Sequence, residues 1–291
     1  MFKITLSPAE RSYLHESLSC LSPIRPDARL NKQFRPLEAT CSFLPGSNGS
    51  ARIRMADGAE CLASVKAKVV SLQLNNANSA QHLKNLIEVD LDINGIRDDS
   101  NLSSTIASSL KGSLVKHIPL EKLRLTHRYA FKLFIDIVVL SHSSVYPLTL
   151  LSLATYMALK STKLPLLTST VNDRDIEEQP MFSDDWESSL ALFGDSSLSP
   201  PLLFVVAVVK DNIFIDPSPE EESVSENGIC LTYANGKIIS PLQTISLSPK
   251  DNTGINSAQI LKAHALVKEI GPLVVKSLDE IVSDDSIKTI F

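Results

Sequence analysis

A chain of 291 residues with 43% hydrophobic and 21% charged content can bury a substantial core and is long enough for two layered substructures, which excludes a wholly disordered polypeptide. Its formal net charge of -5 argues against a protein that coats nucleic acid by itself, and the charge is unevenly placed: residues 1–70 hold ten Lys/Arg and six Asp/Glu, whereas residues 171–226 hold two and fourteen. Opposite potentials on two halves register neighbouring subunits more readily than they capture a free substrate.

Ser7-Pro8-Ala9-Glu10 reads as a helix start, with Ser7 as N-cap, Pro8 in the first turn and Glu10 closing a capping box; the helix should run to about Cys20. Ile53 and Met55, then Cys61, Ala63, Val65, Ala67 and Val69, alternate with polar partners around Asp57-Gly58, a hairpin signal that turns Lys66 and Lys68 away from the core. Residues 71–85, rich in Asn, Ser and Gln, read as a loop or insert. Ile87, Val89, Leu91 and Ile93 make a further strand, and Leu102, Ile106, Leu110 and Leu114 mark one face of a helix from Ser100 to about Lys116. Tyr129 to Leu140 is nearly continuous apolar sequence, the pattern of a central strand covered on both faces, followed by a helix from Pro147 to Lys160.

Asn172 to Asp195 is acidic and irregular and reads as a linker. Beyond it the pattern repeats in reduced form: strands at Leu202 to Val209, Ile213 to Asp216, and Ile229 to Tyr233 turning through Asn235-Gly236, then a helix from Ser257 to Val282 bent at Gly271-Pro272. The expected division is therefore 1–24 for the capped helix and arm, 25–170 for a first unit, 171–199 for an acidic linker and 200–291 for a second unit.

Cys20, Cys41, Cys61 and Cys230 are far apart and form no Cys-x-x-Cys pair, and the opening residues do not resemble a secretory signal, so reduced intracellular thiols are expected. The histidines lack the i, i+4 spacing of a helical metal site, and neither a metal nor a cofactor is expected. The longest apolar helical run, Leu148 to Leu159, falls short of the roughly 20 residues a bilayer requires, so no membrane partner is expected either.

The segment Arg25-Pro26-Asp27-Ala28-Arg29, followed by Phe34-Arg35-Pro36, carries three guanidinium groups within eleven residues. Pro26 and Pro36 bias the preceding arginines toward extended backbone, so the segment should lie as an arm across a surface. Arg25, Arg29 and Arg35 then either clamp carboxylates and carbonyls or bind nucleic acid directly, and Asp27 between two of them favours the clamp.

This arm, with Leu6-Ser7-Pro8-Ala9-Glu10, Gln33-Phe34-Arg35-Pro36, Phe43-Leu44-Pro45, Asn48-Gly49-Ser50, Gly95-Ile96-Arg97-Asp98-Asp99, Pro200-Pro201-Leu202-Leu203-Phe204, Asp216-Pro217 with Glu220-Glu221-Glu222, and Asn235-Gly236-Lys237-Ile238 before Ser240-Pro241, resembles the RNase PH-like ring subunits of the eukaryotic RNA exosome. Ala28 stands where that family usually has Gly. The resemblance implies an α+β fold of ribosomal protein S5 domain 2-like type, a pair of β-α-β-α units with mixed sheets and helices packed between them. It implies a place in a six-membered ring of RNase PH-like subunits around an RNA channel, with S1/KH cap proteins and separate hydrolytic nuclease subunits, in nucleus, nucleolus and cytoplasm. The function implied is non-catalytic: shaping the channel for 3′-to-5′ RNA processing and decay and docking ring, cap and nuclease subunits.

Phosphorolysis of an RNA 3′ end needs a cationic seat for inorganic phosphate, usually Arg with backbone amides at a helix start, and a carboxylate at the leaving oxygen. Asp216 and Glu222 resemble the paired aspartates of active relatives, although those carry Asp at both positions. Arg97 beside Asp98 and Asp99 offers phosphate a poor seat. A phosphate-dependent 3′ exoribonuclease using Asp216 and Glu222 with Arg97 is the alternative, and a solvated turn with a helix-start charge cluster is the structural reading of the same carboxylates. Non-catalytic ring subunits in archaea touch RNA through arginines on the helix after the fourth strand. Lys111 stands at one of those positions and Ser108 at the other, so Arg97, Lys111 and Lys116 are the candidates for an RNA path, through weak, salt-sensitive backbone contacts. At 5% aromatic content no stacking platform is evident, which disfavours a third reading as a free-standing RNA-binding module.

Overall fold

The computed structural model describes residues 6–72, 85–97, 99–126, 128–168, 180–194, 198–247, 254–283 and 288–290. Helix α1 (Pro8–Ser19) opens as its sequence requires: Ser7 Oγ accepts from Glu10 N at 3.3 Å and Glu10 Oε2 accepts from Ser7 N at 2.8 Å. An extended arm leads to β1 (Leu37–Cys41), β2 (Gly49–Met55) and β3 (Glu60–Ser71). The β2–β3 hairpin turns at Asp57-Gly58, where Gly58 has φ +84° and Asp57 Oδ1 accepts from Ala59 N at 3.1 Å. Strand β4 (Ile87–Ile93), helices α2 (Asn101–His117) and α3 (Leu120–Leu123), strand β5 (Tyr129–Ser141) and helix α4 (Leu148–Lys160) complete the first half.

Strands β6 (Lys163–Leu164) and β7 (Leu190–Ala191) pair with each other, so the acidic stretch is tied back at both ends; residues 169–179 and 195–197 of it, like residues 73–84 of the Asn-rich stretch, lie outside the described residues. The second half contains β8 (Leu202–Val209), β9 (Asn212–Ile215), α5 (Pro219–Val224), β10 (Asn227–Ala234), β11 (Lys237–Ile245) and α6 (Ser257–Ser283), and β12 (Lys288–Ile290) returns to the first sheet. The six-stranded sheet runs β12-β1-β2-β3-β5-β4, with β4 parallel to β5, and the four-stranded sheet runs β11-β10-β8-β9.

Helix α4 lies between the two sheets, packing on β2 and β3 on one side and β8 on the other, and every residue from Leu148 to Leu159 is buried. Strand β9 pairs only with Val206–Val209, and where it does not reach, Ser152 Oγ and Thr149 Oγ1 accept from Leu203 N and Val205 N at 2.7 and 3.1 Å. Gly49 sits where β2 meets the end of α4; a Cβ there would lie 2.4 Å from Ala158 O. Both sheets and α4 therefore share one core, as the two-unit reading of the fold requires.

One local expectation is corrected. Strand β5 is not covered on both faces: it alternates, next to the sheet edge, with Phe134 facing out beneath the ammonium groups of Lys68 and Lys132 at 5.0 and 4.7 Å from its ring. A continuous apolar run does not distinguish a central strand from one whose outer aromatic is covered by lysine stems. The strands buried on both faces are β8 and β10. Helix α6 runs as one element through Pro272, and Gly271 is where it meets β10, since a Cβ there would come within 2.8 Å of the Tyr233 ring.

Candidate functional site

The arm and the β9–α5 corner meet in a buried ionic cluster. Arg25, with 2% of its surface exposed, places Nε and Nη2 on the two carboxylate oxygens of Glu221 at 2.6 and 2.7 Å, and its Nη groups also donate to the carbonyls of Leu30, Ile215 and Asp216 at 3.2, 3.3 and 3.0 Å. Arg35 grips Asp216 with Nε (3.0 Å) and Nη2 (2.7 Å) while its own backbone N–H donates to the same carboxylate at 2.9 Å. Its Nη1 reaches Asp57 in the β2–β3 turn at 2.6 Å. Arg29 joins Asp27 at 2.5 Å to Asp216 at 3.2 Å. The local turn that aims these groups puts Ala28 at φ +58°, a left-handed conformation that explains why glycine suits this position.

The carboxylates are not a solvated turn. Asp216, Glu221 and Glu222 expose 1%, 0% and 1% of their surface, which overturns the structural reading of the acidic run as a solvent-facing charge cluster. A short sequence pattern cannot report that a segment 190 positions away supplies the counter-charge, and only that counter-charge makes burial affordable. Asp216 itself has φ +46°, a strain carried where two arginines hold the residue from both sides. Burial pushes the Asp216 carboxyl upward, but Arg35 and Arg29 outweigh it and hold it below the ordinary carboxylate value.

The two buried glutamates of the run each have their own partner. Glu221 is also the N3 residue of a capping box on α5, accepting from Ser218 N at 2.8 Å. Glu222 Oε2 accepts from the backbone N–H of Val145 at 2.5 Å, in the turn that precedes the Pro147 cap of α4. Burial pushes Glu222 up to about 8, against the downward pull of the Val145 amide and of Arg35. The chain's own carboxylate thus occupies a backbone amide in the turn ahead of α4, a donor an oxyanion could otherwise use. The cavity beside Asp216 and Glu222 holds about 10 Å³, at the lower limit of what one water needs. Among the described residues the one arginine lining it is Arg35, already bound to Asp216 and Asp57.

Arg97 is exposed in the turn between β4 and α2 and does not line this cavity; its neighbour Asp98 lies outside the described residues. The structure therefore does not bring Arg97 together with Asp216 and Glu222. Lys111 and Lys116 are exposed on α2, one beside Glu88 and the other at a cleft toward the second sheet. Asp57, Glu221 and Val145 were not singled out as site residues in the sequence. For Asp57 and Glu221 the only signals were local ones, a turn and a cap, and both residues perform those tasks as well. Among the described residues no group of three or more His, Cys, Asp and Glu is placed to hold a metal ion, and no helix is long and apolar enough to cross a membrane.

Two sheets sharing one helix layer, with an arginine arm locked into the second half, define an RNase PH-type fold. Residues 33–165 match the family described as the 3′ exoribonuclease family, domain 1. A chain of a solved archaeal exosome core shares the fold with a TM-score of 0.67 at 17% identity, covering 93% of this chain and 96% of that one. Over 280 residues the chain is 40% identical to exosome complex component RRP42 of Saccharomyces cerevisiae, covering 96% of this chain and 100% of that protein. It is 33% identical over 243 residues to exosome complex component rrp42 of Schizosaccharomyces pombe, with 79% and 78% covered. The chain belongs to the RRP42 family of exosome components with the RNase PH fold.

Proposed function

We propose that this chain is a ring subunit of the RNA exosome that shapes the RNA channel and docks its neighbours without cleaving RNA itself. The observation that carries the non-catalytic part is the pairing of Glu222 with the Val145 amide beside a cavity of about 10 Å³, with Arg35 committed to Asp216 and Asp57. Orthophosphate needs both free cations and room, and this corner supplies neither. Asp216 and Glu222 are then vestiges of a catalytic pair, and Arg25, Arg29 and Arg35 are structural fasteners that hold the arm on the second unit.

The ring neighbours are other RNase PH-like subunits; S1/KH cap proteins and hydrolytic nuclease subunits complete the partners, and nucleus, nucleolus and cytoplasm are the compartments. The opposite charge of the two halves supports subunit registration. Exposed Arg97, Lys111 and Lys116 support an RNA path along α2. The division into units at 25–170 and 200–291 is supported by the two sheets, each formed chiefly from one of these ranges.

The test is release of nucleoside diphosphate from an RNA 3′ end in the presence of inorganic phosphate, by the full chain and by the complex that co-purifies with it. No release by the chain is expected. Phosphate-dependent release that disappears in a folded Glu222→Gln variant would establish the phosphorolytic alternative.

A further inference from the structure

A cavity of about 120 Å³ lies between the second half of α2 and the second sheet. A single water occupies roughly 10–15 Å³ on this measure, so the space exceeds a bridging solvent molecule and suits a flat ring system. Its apolar floor comes from Leu203, Cys230 and Ile239. Its walls are neutral and polar: one end of the Gln243 amide meets the Ser109 hydroxyl at 2.9 Å and the other end has no partner among the described residues. Near the end of α2, His117 Nδ1 sits 2.7 Å from Ser113 O, an acceptor only, so Nδ1 carries the hydrogen and Nε2 is left unengaged.

Gly112 forms part of the same wall. Glycine is the least favourable residue in a helix interior after proline, and here packing does not demand it. A Cβ built at Gly112 meets nothing within 4 Å, whereas one built at Gly49, Gly228 or Gly271 would collide. Gly112 is also not among the residues with positive φ. The position therefore leaves open, exposed space at this wall of the cavity.

We propose that this cavity receives a nucleobase of single-stranded RNA, with exposed Lys116 at its rim set for the adjoining backbone. The inference rests on the RNA path proposed along α2 and deepens it. A planar heteroaromatic with mixed donors and acceptors matches neutral amide and hydroxyl walls over an apolar floor. A phosphate does not, because the site offers one lysine at the end of α2 where the helix dipole is negative.

The test uses the full chain and two kinds of probe. Uridine and adenosine, which carry no phosphate, are titrated while the Gln243 side-chain amide is followed by NMR; a saturable shift is expected in the wild type and its loss in Gly112→Leu, which fills the mouth without disturbing the helix. In parallel, fluorescence anisotropy compares a short oligouridylate with an abasic ribose-phosphate chain of equal length. Gly112→Leu should weaken the oligouridylate about tenfold or more, in line with the usual worth of a hydrogen-bonded base contact, and leave the abasic chain unchanged; Lys116→Ala should weaken both. Failure of nucleosides to shift Gln243 in the folded wild type, or an equal effect of Gly112→Leu on both chains, overturns the base site. If the abasic chain does not bind while nucleosides still shift Gln243, the backbone path is lost and the base site stands.

Discussion

Arg25→Met removes the guanidinium at the centre of the clamp while keeping most of the side-chain volume. In the wild type Arg25 satisfies both oxygens of Glu221 at 2.6 and 2.7 Å with neither side chain exposed. Without it, Glu221 is a buried carboxylate whose remaining hydrogen-bond donor is the Ser218 amide, and the carbonyls of Leu30, Ile215 and Asp216 each lose one donor, Leu30 and Asp216 keeping Gln33 N and Arg29 Nη2. Removing one partner of a buried pair costs about 3–5 kcal/mol, a fifth or more of the roughly 5–15 kcal/mol that holds a typical domain together. The double variant Arg25→Met/Glu221→Gln keeps the capping oxygen, removes both charges and should recover most of that loss. Urea denaturation of the full chain followed by circular dichroism reads the difference as a shift in midpoint at constant slope. An Arg25→Met midpoint within about 1 kcal/mol of wild type, or a double variant as unstable as the sum of the singles, would refute the clamp as the arm's fastening.

Glu222 makes the fold pH-dependent in a defined direction. Its folded pKa is raised from 4.5 to about 8, so the native state holds a proton that the unfolded chain releases, and the associated stability is fully present below 4.5 and is lost as pH rises through 8. Glu222→Gln, which keeps an oxygen for the Val145 amide, should remove that slope; parallel stability profiles for the two proteins between about pH 5 and pH 8 would contradict it. Ala28→Gly should relieve the left-handed strain at φ +58°, worth about 1–2 kcal/mol, less the 0.4–1 kcal/mol or so of chain entropy that glycine adds to the unfolded state. A net gain of about 0.5–1 kcal/mol in thermal or urea unfolding is expected, and a loss would show that the turn is not strained.

Local chemistry was legible wherever the interaction partners are near in the chain. Ser7 and Glu10 specify their own capping box, Asp57-Gly58 specifies a hairpin, and the spacing of Ile106, Leu110 and Leu114 specifies the buried stripe of α2. The clamp was half legible. Three arginines and their prolines announce an arm that grips something, but Glu221 lies 196 residues from Arg25 and its local sequence marks it only as a helix-capping residue. The apolar run of β5 imitates a central strand because periodicity is hidden when an outward phenylalanine is covered by lysines of its own sheet.

From its sequence alone this protein is an α+β chain of two repeated units, with capped helices, a hairpin and a cationic arm, because each of these depends on contacts within a few residues or on an apolar period. The destination of the arm, the burial of Asp216, Glu221 and Glu222, and the pairing of Glu222 with the Val145 amide were decided by the tertiary structure. A buried charge is defined by what surrounds it, and here the surroundings arrive from the opposite end of the chain.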